Sequence, residues 1–239
     1  MLRTDAVSGS IRDLVGAGEK ARRAERKTSF TAHVQTTGES WFPRDDGKAR
    51  KISGPEKVVF PTARDEAEWK RDGAPLLTSG DNRRRVWEGG GRLSLGDRSM
   101  TFEEFAALPK DAERLEAVLR DRRARDCEDP CDPKEYPFDT YVWNTARELL
   151  SLPLTPGTKA AFFEILADQP GVGRAEGVRD RIGRPGMAVT MGHATGRSRL
   201  VISLDGADLL EYRTFEFGEA PSATTYEESG WVGRLGARP

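Results

Sequence analysis

The apolar, β-branched run Arg199–Leu204 reaches Asp205-Gly206 and resumes as an aromatic-rich run from Asp208 to Phe217. An Asp-Gly step between two such runs predicts an antiparallel hairpin, with Gly206 at positive φ. Similar patterns recur upstream. Phe30, Ala32, Val34 and Thr36 alternate with polar residues in a predicted strand over 29–42, and a second strand is expected over 51–61, ending in Val58-Val59-Phe60. Two short strands are expected in 83–95, around Gly89-Gly90-Gly91. After residue 171 the strand pattern returns at 172–179, 187–191, 200–204, 209–217 and 223–226.

Between these regions the period changes from two to that of a helix. Ser8 to Lys27 reads as an N-terminal helix with Ser10 as cap and Ile11, Leu14 and Val15 on one stripe. Thr101 and Glu104 have the spacing of a capping box, and Leu108-Pro109 ends that short helix. Leu115, Val118 and Leu119 mark another helix. Helices are also expected over 140–151 and 158–167, with Pro153, Pro156 and Pro170 at their bounds. Strands, then helices, then strands predict an α+β fold: one curved antiparallel sheet with helices on its concave face. Residues 1–28 are expected to form the N-terminal helix and 29–239 a single domain. In this reading Tyr141, Leu149, Phe162, Phe163 and Leu166 point inward, while Arg147, Glu148 and Glu164 face solvent.

Composition narrows the function classes. A net charge of −1 lacks the broad positive field of a nucleic-acid binder. The chain has no apolar run near the length of a membrane span, and no apolar stretch of a signal peptide follows Met1. The segment Lys20–Lys27 is strongly basic, and is either a solvated helix end or a contact for anionic lipid headgroups.

Cys127 and Cys131 flank Glu128-Asp129-Pro130. They are expected to close a small disulfide, which would place the protein in an oxidising compartment; free thiols are the alternative. A zinc site would need more ligands, and His33 and His193 are both distant in sequence.

Catalytic signatures are weak. Gly171-Val172-Gly173 and Gly183-Arg184-Pro185-Gly186 read as tight turns rather than phosphate loops. His193 lies in an expected hairpin turn, and no GxSxG pairs with it. No carboxylate pair is singled out by spacing. Neither a cofactor nor a metal is expected. The aromatic and apolar residues Trp41, Trp87, Tyr141, Leu149, Phe162, Phe163 and Leu166 are either core or the lining of an apolar groove between sheet and helices.

A series of phrases then acquires meaning together. These are Leu108-Pro109, Leu115 and Leu119; Pro156, Ala161-Phe162 and Leu166; Gln169-Pro170-Gly171-Val172; Asp180 and Gly183-Arg184; Val201-Ile202, Asp205-Gly206 and Leu209-Leu210-Glu211; and Gly230-Trp231-Val232. They resemble a family of actinobacterial extracytoplasmic proteins, often encoded beside extracytoplasmic-function sigma factors. The resemblance covers about residues 100–232 well and 8–60 loosely. It implies an exported, membrane-anchored protein whose anchor would precede this sequence. Its domain would be similar to the LolA/LolB and RseB fold, an antiparallel half-barrel closed by helices over an apolar cavity. The function so implied is non-enzymatic: binding a hydrophobic or lipid-like ligand, a lipopeptide or a protein segment, with a link to sigma-factor regulation. A protein-interaction domain with a filled core is the alternative, and a hydrolase a third.

Overall fold

The computed structural model describes residues 2–8, 30–78, 83–95, 98–126, 136–152, 154–193, 196–216, 222–230, 232–234 and 237. In chain order these form β1 (Leu2–Ser8), β2 (His33–Trp41), β3 (Lys48–Ser53), β4 (Lys57–Val59), α1 (Ala63–Arg71), β5 (Arg85–Gly90), β6 (Leu93–Leu95) and β7 (Arg98–Met100). Four helices follow: α2 (Phe102–Ala106), α3 (Ala112–Asp126), α4 (Phe138–Leu149) and α5 (Pro156–Ala167). The chain closes with β8 (Val172–Arg179), β9 (Pro185–His193), β10 (Gly196–Ser203), β11 (Leu209–Glu216) and β12 (Ser222–Ser229).

The expected α+β class is observed. One ten-stranded antiparallel sheet has the order β5-β3-β2-β1-β12-β11-β10-β9-β8, with β4 pairing β2 off this path. β6 and β7 form a separate two-stranded hairpin. The large sheet is open, with β5 and β8 as its two edges.

The N-terminus departs from expectation. Leu2–Ser8 do not precede the sheet; they are a strand inside it, paired with β2 on one side and β12 on the other. The boundary expected at residue 28 therefore divides one sheet. Small and polar residues give β1 little strand propensity of its own. Pairing on both sides overrides that. The remainder of the expected N-terminal helix, including Lys20–Lys27, lies outside the described residues, as do Cys127 and Cys131.

Alternation places Leu200 and Ile202 of β10, with Val189 and Met191 of β9, on one sheet face. These side chains join α2–α5 in a single buried cluster containing Phe105, Leu115, Leu119, Val142, Leu149, Phe162 and Leu166. Fully burying each such side chain contributes about 1.5–3 kcal/mol, so this cluster is what holds the helices on the sheet. The Arg120 guanidinium covers the Phe138 ring at 3.9 Å and ties α3 to the start of α4.

The second face is polar but closed at its centre. Glu211 is inaccessible, and its carboxylate accepts from Arg199 at 3.0 Å, from Arg213, and from the Arg181 N–H at 3.0 Å. Asp180, also buried, accepts from the N–H groups of Ile182 and Arg184 and from Arg184 Nε at 2.7 Å. These bonds fold the β8–β9 turn back toward β11. Gly171 and Gly183, expected in tight turns, do take positive φ, at 77° and 88°.

The β10–β11 hairpin forms in the expected place, with Leu200 opposite Tyr212. Its turn is longer than an Asp-Gly pair. Ser203 Oγ accepts from the N–H groups of Asp205 and Gly206, at 3.2 and 3.3 Å. Gly206 lies outside the left-handed region, and Ala207 takes it instead at φ 56°. The Ser203 hydroxyl holds Asp205 and Gly206 in the first part of the turn, so the reversal falls one residue later.

Candidate functional site

Helix α2 starts where Thr101 Oγ1 accepts from the Glu104 N–H at 3.2 Å and the Thr101 N–H donates back to Glu104 at 2.7 Å. The β6–β7 hairpin enters this cap directly. Leu108-Pro109 then stops α2 and turns the chain toward α3. The result is an open recess of about 320 Å³ between the hairpin, α2 and α3. Leu95, Met100, Leu108 and Val118 give it an apolar floor, and Arg98, Glu104 and Arg122 bring charge to its lining. Its volume sits at the low end of small-molecule sites, and apolar walls with a few charged groups are their usual composition.

Electrostatics make Glu104 a poor free acceptor. It takes hydrogen bonds from Thr101 N–H, from Arg92 at 3.0 Å and from Arg98 at 3.0 Å. The Thr101 N–H first, then Arg98 and Arg92, hold its carboxyl below the usual glutamate range. Arg92 is further anchored on the Ser99 carbonyl at 2.9 Å and on Asp46. Two carboxylates, Glu104 and Asp46, thus face the two guanidiniums of Arg92 and Arg98, while Arg98 and Arg122 both line the recess. The arrangement can take an amphiphile: carbon against the floor, and a polar head beside Arg98, Glu104 and Arg122.

The residues expected to line a groove lie elsewhere. Tyr141, Leu149, Phe162 and Leu166 are brought together, but as members of the main buried cluster with Leu200 and Ile202. Phe163 is half-buried at its margin. Arg147, Glu148 and Glu164 are exposed as expected. Burial raises the Tyr141 phenol well above its ordinary range, which keeps it protonated in that core. Trp41 belongs to a separate small cluster with Ile52 and Val232, and its indole N–H donates to the Ala237 carbonyl at 2.8 Å. Trp87 lies on the edge strand β5 and is 49% exposed. None of these residues lines the recess. Helical spacing identified the apolar stripes correctly, but it cannot tell a stripe that meets a partner from one that meets space.

Sequence reasoning missed Leu95, Met100 and Arg122. The Thr101–Glu104 capping box and Leu108-Pro109 were visible, and they bracket the recess. The short strands of the hairpin carry too few residues to show a period. Among the described residues no group of three or more His, Cys, Asp or Glu is placed to hold a metal ion, and no helix is long and apolar enough to cross a membrane. Comparison of the chain with family models, curated proteins and solved structures gives no match.

Proposed function

We propose that this protein is a non-enzymatic binding domain of the cell envelope that takes an anionic amphiphile, a lipid or lipopeptide, into the recess beside α2 and α3. The observation carrying this reading is the pairing of an apolar floor (Leu95, Met100, Leu108, Val118) with Arg98 and Arg122 in one open recess of about 320 Å³. Each buried methylene would contribute about 0.8 kcal/mol, so a few carbons suffice for useful affinity. The lipid-binding role is the one that the resemblance to LolA/LolB and RseB implies, but its site moves to the recess, because the space between sheet and helices is filled by the buried cluster. Export, membrane anchoring and a role in sigma-factor regulation belong to the same proposal. Ligand entry would then report on, or carry, the bound molecule.

The test is native mass spectrometry of protein isolated from an envelope fraction, with lipid extraction. The reading expects a co-purifying acidic lipid, displaced by excess oleate. Protein of bare mass that also fails to take up added oleate contradicts it.

A further inference from the structure

The two edges of the large sheet are built differently. β8 is blunted as natural edges are: its register with β9 breaks between Ala175 and Val178, Gly177 stands at φ 68°, and Arg174, Glu176 and Arg179 are exposed. β5 carries exposed charges at Arg85 and Glu88 but lacks the register break and the positive-φ glycine. It runs in unbroken register against β3, from Arg85 opposite Ser53 to Gly90 opposite Lys48. Among the described residues it pairs with nothing on its other side. Val86 and Trp87 are 46% and 49% exposed on it. The Trp87 indole lies along its own strand, where a side chain on Gly89 would meet Cζ2 at 2.2 Å. That glycine leaves the ring flat against the strand. Lys51 sits over the other part of this surface, 5.3 Å from the Trp87 ring.

The charge around this edge is one-sided. Arg84 precedes β5, and Lys48, Arg50 and Lys51 lie on β3; Glu88, beside Arg50 at 3.7 Å, is the one carboxylate within residues 84–90 and 48–53. This stands in a chain whose net charge is −1. A strand edge open to solvent offers alternate N–H and C=O groups at a fixed spacing that another extended backbone can match. The surrounding cations select an acidic one.

We infer that β5 is a docking edge for an extended acidic peptide segment of a partner protein, which adds as a further strand beside Arg85–Gly90. Backbone hydrogen bonds supply the pairing, Val86 and Trp87 supply apolar contact, and Arg84 with Lys48 and Lys51 supplies the charge selection. A membrane surface would use the cations and the indole but leave the strand's polar groups unpaired. A second copy of the chain would bring two like-charged edges together. This site is separate from the recess and does not depend on its ligand.

The experiment uses the full chain and a short capped peptide alternating Glu and Val, followed by amide hydrogen exchange and by titration. Expected are saturable binding that weakens with salt, slowed exchange confined to residues 85–90, and loss of about tenfold or more in affinity when alternate peptide nitrogens are methylated. A Lys-for-Glu peptide should not bind, and Arg84→Glu, at an exposed position, should fold normally and bind the acidic peptide more weakly. Equal affinity for the N-methylated peptide would overturn the proposal, because charge alone would then explain binding. Protection of 85–90 that rises with protein concentration alone would assign the edge to a second copy. Binding to phosphatidylglycerol vesicles without peptide binding would assign it to a membrane. Either result replaces the inference.

Discussion

Lys159 of α5 and Asp208 of the β10–β11 turn form an ion pair in which the lysine side chain is 6% exposed and the aspartate 45%. The pair joins the helix layer to the hairpin at a point where the buried ammonium has little access to water. Removing the carboxylate leaves that charge stranded. Asp208→Ala should therefore destabilise the fold by about 2–3 kcal/mol in denaturant melts. Lys159→Met, which removes the charge and keeps the aliphatic stem, should cost about 1 kcal/mol or less. Equal losses in the two variants would show that the pair itself, rather than the stranded charge, sets the effect.

Asp208 also bears on the turn before it. Ala207 carries the left-handed conformation that Gly206 does not. Ala207→Gly should raise stability by about 1 kcal/mol, because a Cβ in that region is strained by roughly that amount. Gly206→Ala should be destabilising for a different reason: its Cβ would come within 2.9 Å of Asp208 Oδ2. In a Lys159→Met background Asp208 is released, and the cost of Gly206→Ala should shrink. A cost independent of Lys159 would contradict this coupling.

The α2 cap makes stability depend on pH with a defined sign. Glu104 titrates below its ordinary value of 4.5, with the Thr101 N–H as the main cause. Its contribution is present above that value and is lost as the pH falls through the folded-state pKa. Glu104→Gln should therefore flatten the decline in stability between about pH 5 and about pH 3 relative to the parent chain. Thr101→Ala should cost about 1 kcal/mol at neutral pH by removing the cap.

Glu211 tests the second sheet face. It is fully buried, with Arg199, Arg213 and the Arg181 N–H as donors. Glu211→Ala should destabilise by about 3–5 kcal/mol, since it leaves two guanidiniums without their shared acceptor. A loss under about 1 kcal/mol in equilibrium unfolding would mean that water satisfies those arginines.

Much of the fold was legible because its periods are strong. The 200–217 hairpin, the Thr101–Glu104 cap and the inward stripes of α4 and α5 follow from local chemistry. Helix α1 was missed although its signals are present: Thr62 accepts from the Asp65 N–H at 3.1 Å and Glu66 pairs with Lys70. The segment lies between the strands expected over 51–61 and 83–95, and no element is assigned to it there. β1 was missed because its strand character comes from neighbours at residues 34–40 and 222–229 rather than from its own residues. The position of Ala207 at the turn depends on one hydroxyl, Ser203, that no dipeptide rule contains. The recess was illegible for a similar reason. It is space left between a hairpin and two helices, and no single segment carries its pattern.

The central claim is that the recess beside α2 binds an anionic amphiphile, and Ala107→Trp addresses it most directly. Ala107 lines the recess, is exposed, and sits in ordinary helical conformation at the α2 terminus, so the indole can fill the space without disturbing the core. The measurement is titration of the parent chain and the variant with a dansylated fatty acid, with thermal unfolding of both. The account predicts saturable one-to-one binding by the parent, reduced about tenfold or more in Ala107→Trp at unchanged stability, and unaffected by Phe163→Leu at the margin of the core. Equal binding by the parent and Ala107→Trp, or no binding by a well-folded parent, would contradict it.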